Sequence, residues 1–125
     1  MAGVQEFLQT STLSGTINVD AIPNIVTIES LVGSAVAANA DIITTWAAPW
    51  TGTVVVRIAI ESGTAPVLSL ISSLQSTSKQ LLQGATLTVG EVYQVSLAVQ
   101  LGETINFQVS QAVTLDLEVQ AVQDL

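Results

Sequence analysis

From Val113 to Ala121 the chain alternates without a break. Val113, Leu115, Leu117, Val119 and Ala121 fall on one side, and Thr114, Asp116, Glu118 and Gln120 on the other. Period two belongs to an extended strand with one face in a core and one toward solvent; a helix would scatter these residues around its axis. The pattern recurs upstream. Tyr93, Val95, Leu97 and Val99 interleave with Gln94, Ser96, Ala98 and Gln100, and Ile105, Phe107 and Val109 with Asn106 and Gln108. Val54, Val56, Ile58 and Ile60 interleave with Thr53, Val55, Arg57, Ala59 and Glu61. Leu101-Gly102-Glu103 and Ser62-Gly63-Thr64-Ala65-Pro66 supply turns between such runs. Strands joined by short turns imply antiparallel neighbours. A one-residue slip in any of them would expose a whole apolar stripe, so these four faces are predicted to meet in one core.

The remaining segments read less sharply. Ile25 to Ser30 alternates and is expected to end at Val32-Gly33, Asp41 to Trp46 reads as a strand closed by Ala47 to Gly52, and Val67 to Ile71 as another. Thr16 to Val19 is a candidate short strand before Pro23. Between Ser69 and Gln83, Leu70, Leu74, Leu81 and Leu82 fit a helix capped by Gly84. The Ser- and Thr-rich stretch from Ser72 to Ser78 opposes it, because these side chains compete for backbone hydrogen bonds and favour turns. The expectation is a strand, a polar loop at Gln75 to Lys79, and a short strand at Gln80 to Leu82. The sum is an all-β chain of about eight or nine short strands, an antiparallel β-sandwich of jelly-roll-like form over residues 25–125. Residues 1–24 lack sustained alternation and read as an extended N-terminal arm.

Composition narrows the chemistry. The 125 residues include no His and no Cys, and only two basic residues, Arg57 and Lys79, against ten acids. The usual general base, the usual soft metal ligands and the usual thiol nucleophile are therefore missing. A net charge of -8 repels polyanions and anionic bilayers, so neither nucleic acid nor membrane is an expected partner. No uncharged apolar run reaches the roughly 18 residues of a membrane helix, and Met1 to Glu6 has neither the basic nor the apolar region of a secretory leader. Hydrophobic residues make up 49% and mean hydropathy is +0.61, high for a chain of this size standing alone. Burial of apolar surface between copies is expected.

Few residues carry candidate chemistry. Ser76-Thr77-Ser78-Lys79 matches the S-x-x-K acylase pattern but lies in a polar loop without that motif's helix or partner motifs. Asp116 and Glu118 project from one strand about 7 Å apart; the Gly-containing acidic loop of a calcium site is missing, and a polar outer face is the plainer reading. Trp46 and Trp50 bracket Ala47-Ala48-Pro49. They fit a plug at one end of the sandwich, an anchor for a protein partner, or a sugar platform. Arg57 sits in an apolar strand and calls for a carboxylate partner, within the chain or across an interface. In the arm, Phe7, Leu8, Leu13, Ile17 and Ile22 are apolar anchors without a face of their own, and are expected to lie on a neighbouring surface. Deleting residues 1–15 should then weaken attachment without unfolding the domain. No cofactor, metal or catalytic residue is expected.

Three segments together carry a resemblance: Asp41 to Trp46 with Thr51 to Val56; Ser62 to Leu70; and Leu87 to Tyr93 continuing through Gly102-Glu103-Thr104-Ile105-Asn106-Phe107 to Ser110. Over roughly residues 25–121 this pattern resembles the small jelly-roll decoration, or cement, proteins of tailed-bacteriophage capsids. The resemblance implies a non-enzymatic virion protein on the outer capsid surface, made in the host cytoplasm. It implies a homotrimer that binds the major capsid protein and bridges capsomers. Two alternatives are a carbohydrate- or receptor-binding sandwich of a phage fibre, which would expose Trp46 and Trp50, and an extracellular filament subunit, which would lend a strand or arm to the next copy.

Overall fold

The computed structural model describes residues 24–124. These residues form eight strands: β1 (Ile25–Val36), β2 (Trp46–Ala47), β3 (Gly52–Gly63), β4 (Leu68–Ser72), β5 (Lys79–Gln80), β6 (Val92–Val99), β7 (Thr104–Val109) and β8 (Val113–Gln123). Among the described residues the one helical turn is a 3₁₀ turn at Leu82–Gly84.

The strands make two four-stranded sheets, a long one in the order β1-β8-β3-β6 and a short one in the order β2-β7-β4-β5. The antiparallel pairs β1/β8, β2/β7, β3/β6 and β4/β5 are those of one long hairpin folded onto itself and rolled up. Pairing of β3 with β8 and of β4 with β7 then stitches the roll into two sheets. This is the jelly roll, which manages strand edges by wrapping two Greek keys around one core.

The alternating faces behave as the period requires. Val54, Val56, Ile58 and Ile60 of β3, Ile105, Phe107 and Val109 of β7, and Val113, Leu115, Leu117 and Val119 of β8 are all buried. Val99 is buried too, while Tyr93, Val95 and Leu97 pack half-buried against the same core because β6 is the last strand of its sheet.

Several boundaries differ from the sequence expectation, each for a local reason. β1 does not stop at Gly33; it runs on to Val36 across irregularities between Thr27 and Glu29 and between Leu31 and Ser34. Gly33 takes φ +59° there, a conformation glycine adopts without penalty, so the residue expected to end the strand instead lets it bulge and continue. Asp41 to Thr45 is not a regular strand. The Asn106 side chain takes the place of a ladder partner, accepting from Ile43 N at 3.1 Å and donating to Ile43 O at 2.8 Å. β5 is Lys79–Gln80, not Gln80–Leu82, because Leu82 and Gln83 adopt positive φ (53° and 57°) and turn the chain. The ladder reaches Asn24, whose carbonyl accepts from Gln123 N at 2.9 Å. Thr16 to Val19 lies outside the described residues.

Candidate interaction surface

The two faces of the sandwich have different chemistry. On the short sheet, polar side chains are spent on backbone. Asn106, only 3% exposed, also donates to Thr45 Oγ1 at 3.0 Å and accepts from Phe107 N at 2.8 Å. Glu103, 8% exposed, accepts from Ser72 Oγ and from Gln100 N. These groups fasten loops to strands, and among the described residues each buried side-chain nitrogen or oxygen has a partner.

The outer face of the long sheet is where side chains remain available. A shallow depression of about 320 Å³ is lined by Ser30, Val32, Arg57, Ala59, Val92, Asp116 and Glu118 among others. Two of its lining side chains, Val32 at 82% and Val92 at 62%, are strongly exposed, and Ile25 at 67% is exposed farther along β1. Arg57 faces Glu118 of β8 and Gln94 of β6 in register, so Glu118 is the carboxylate nearest in the ladder to the chain's single arginine.

At one end of this face Asp116, Glu61 and Gly33 form a polar knot. Gly33 N donates to Asp116 Oδ1 at 2.7 Å, inside the β1 bulge. A hydrogen bond to Asp116, then the Asp116 charge, raises the Glu61 carboxyl above its ordinary 4.5. The same hydrogen bond, then the Gly33 N–H, lowers Asp116 below 3.8. The interaction favours Glu61 protonated and Asp116 ionised. Among the described residues no three acids gather as a cation cage. Asp116 and Glu118 do share a face, as the strand period requires, but Glu118 turns to Gln120 Nε2 at 3.4 Å.

Trp46 and Trp50 are half-buried and pack against the core, with ring centroids 6.0 Å apart and planes at 70°. Edge-to-face packing against the core fits the plug among the sequence readings. Gly52 is part of this packing, since a Cβ there would lie 2.8 Å from the Trp50 ring and 2.2 Å from the Val122 carbonyl. Ser76 and Lys79 of the S-x-x-K match sit on an exposed loop and the adjacent strand. Phe7, Leu8, Leu13, Ile17 and Ile22 lie outside the described residues. The sequence reading missed Val32, Val92 and the Glu61–Asp116 pair. Val92 had a signal, since it is a large apolar residue on the face its strand's alternation turns outward; Val32 and the carboxyl pair depend on irregularities in β1 that no periodicity announces.

No family model matches the chain, and no curated protein matches it. Among solved structures it is similar to a chain described under "Bacillus endospore appendages form a novel family of disulfide-linked pili". The identity is 15% and the TM-score 0.45, over 81% of this chain and 84% of that one. At this score the likeness bears on neither assembly nor function, and the disulfide linkage named there has no counterpart in a sequence without Cys.

Proposed function

We propose that this chain is a non-catalytic structural subunit that assembles with copies of itself and decorates the outside of an icosahedral phage capsid, bridging capsomers. The observation that carries the reading is the outer face of the long sheet, where Ile25, Val32 and Val92 stand exposed on a chain with few charges. Apolar side chains held on a rigid sheet, around a shallow depression, suit a surface that is covered by protein. The eight-stranded jelly roll is an architecture found in viral capsid domains, which supports the capsid form of this reading by analogy of fold.

The test is co-sedimentation with phage heads stripped of their outer decoration, followed by a pressure or heat challenge to the heads. Binding to heads together with a raised rupture temperature supports the proposal. Failure to bind heads, with spontaneous growth of filaments visible by electron microscopy, would replace it with the filament alternative.

A further inference from the structure

Each sheet has two edges, and three of the four are guarded. β2 and β5 are two residues long, and β5 carries Lys79. β1 is long but twice irregular and carries Glu29. Short length, lysine, bulges and charge are the devices by which sheets avoid pairing with foreign strands. β6 has none of them. Its eight residues, Val-Tyr-Gln-Val-Ser-Leu-Ala-Val, include no charge, no proline and no glycine, and its pairing with β3 runs without interruption from Ala59/Val92 to Gly52/Val99.

The backbone groups left open on β6 can be named. Asp124 N donates to Thr51 O, so β3 residues of odd number turn their N–H and C=O toward β8. Even-numbered Gly52, Val54, Val56 and Ile58 then bond to their register partners Val99, Leu97, Val95 and Tyr93. Val92, Gln94, Ser96 and Ala98 are left with N–H and C=O pointing away from the sheet. Among the described residues, no backbone hydrogen bond outside the sheets involves residues 92–99.

We infer that this edge is closed by β6 of a second copy, antiparallel about a two-fold axis, so that the long sheet continues through both molecules. The inference deepens the proposed self-assembly and rests on it. Three observations select a second copy. A register that sets Val92 opposite Ala98 and Gln94 opposite Ser96 uses every open group, about eight new backbone hydrogen bonds, with Val95 on the axis. A head-to-tail joint would need a second bare edge to receive β6, and the other three are guarded. Charge is also graded across the sheet: Arg57 lies one strand in from β6, opposite Gln94, while Asp116 and Glu118 lie on β8, two strands in, and Glu61 of β3 lies past the end of the β3/β6 ladder. Strands sit about 4.8 Å apart, so the β8 acids stand roughly a Debye length back from the joint. Glu91, just before β6, falls at opposite ends of the joint in the two copies, roughly 25–30 Å from its twin. Two acidic molecules meet there with the least repulsion.

The experiment is sedimentation of the full chain over a concentration series. Wild type is expected to form a dimer. Ser96→Pro removes an N–H that bonds to nothing within the chain; it should weaken the dimer at least about ten-fold and leave the thermal melt of the monomer unchanged. The double variants Gln94→Lys/Ser96→Lys and Gln94→Glu/Ser96→Glu place like charges opposite one another and should each be monomeric. Mixed in equal amounts they should form a mixed dimer, which keeps the test decisive should Ser96→Pro fail to fold. A monomeric or trimeric wild type, an unaffected Ser96→Pro dimer, or a mixture that stays monomeric overturns the inference. Head binding separates the two proposals. A chain that binds heads but never dimerises through β6 keeps the functional reading and loses this one; a β6 dimer that ignores heads does the reverse.

Discussion

The two sheets reach the same core by different means. β3 and β8 of the long sheet pair from Gly52/Gln123 to Gly63/Val113, and their order comes from backbone ladder and alternating side chains alone. The short sheet has a two-residue strand at each edge and is completed by side chains, Asn106 on the Ile43 backbone and Glu103 on the Gln100 N–H and the Ser72 hydroxyl. A long ladder tolerates polar exchange on its outer face and is sensitive to the volume of its inner one. A short sheet held by spliced polar groups should fail where a single hydrogen-bonding atom is lost.

The largest effect is expected where both sheets meet. Phe107→Ala and Leu117→Ala each remove a buried side chain, one from each sheet, and should cost about 3–5 and 2–5 kcal/mol in denaturant titrations. A cost below about 1 kcal/mol at Leu117 would mean the long sheet is not governed by its inner face. Next, Asn106→Ala leaves the Ile43 N–H and C=O without their partner and should cost about 2–4 kcal/mol. Hydrogen exchange should quicken at Ile43 and remain slow along β3 and β8; uniform loss of protection would erase the distinction between the sheets. Ser72→Ala deletes the donor to a buried Glu103 carboxylate and should cost about 1–2 kcal/mol.

The smallest effect concerns the polar knot at the end of the long sheet. Glu61 titrates above 4.5 in the fold, so its favourable share is complete below that value and fades as pH rises through the raised one. Asp116 titrates below 3.8, so its share is present above that value and is lost as pH falls through the lowered one. The pair fits best between the two, with Glu61 protonated and Asp116 ionised. Glu61→Gln keeps a donor at every pH and removes the second charge. Its melting temperature should exceed that of wild type by an amount that grows as pH rises from 4.5 through the raised Glu61 value. A difference that stays constant with pH would show that the carboxyls do not interact.

The same division explains what the sequence discloses. Strands β3, β6, β7 and β8 are legible because each presents an unbroken period of two, and their inner faces follow directly. Asp41 to Thr45 misled because Ile42 and Ile43 look like strand residues, while the partner that replaces the ladder there, Asn106, is distant in sequence and sits on the polar side of its own alternation. β1 outran its expected end because a glycine that usually terminates a strand also permits a bulge. The apolar character of the candidate surface is readable from Val92, whose neighbours alternate cleanly, and not from Val32, whose exposure depends on the bulge beside it. Which edge of a sheet is open is a property of strand order, and no local pattern contains it.

The place of β8 has a consequence for how the molecule is made. It lies between β1 and β3, pairing Ile25 with Val122 on one side and Gly52 with Gln123 on the other. Until residues 113–123 have left the ribosome, the long sheet is two separate pieces with a gap one strand wide, and the apolar faces of β3 and β7 have no lid. Closure joins positions almost a hundred apart along the chain, through contacts such as Asn24 Nδ2 to Gln123 Oε1. A topology so dominated by distant partners folds slowly and cannot fold in step with synthesis. During that interval the edge of β3 that receives β8 stays open, and a nascent chain is then most exposed to the very strand pairing that the finished molecule restricts to β6.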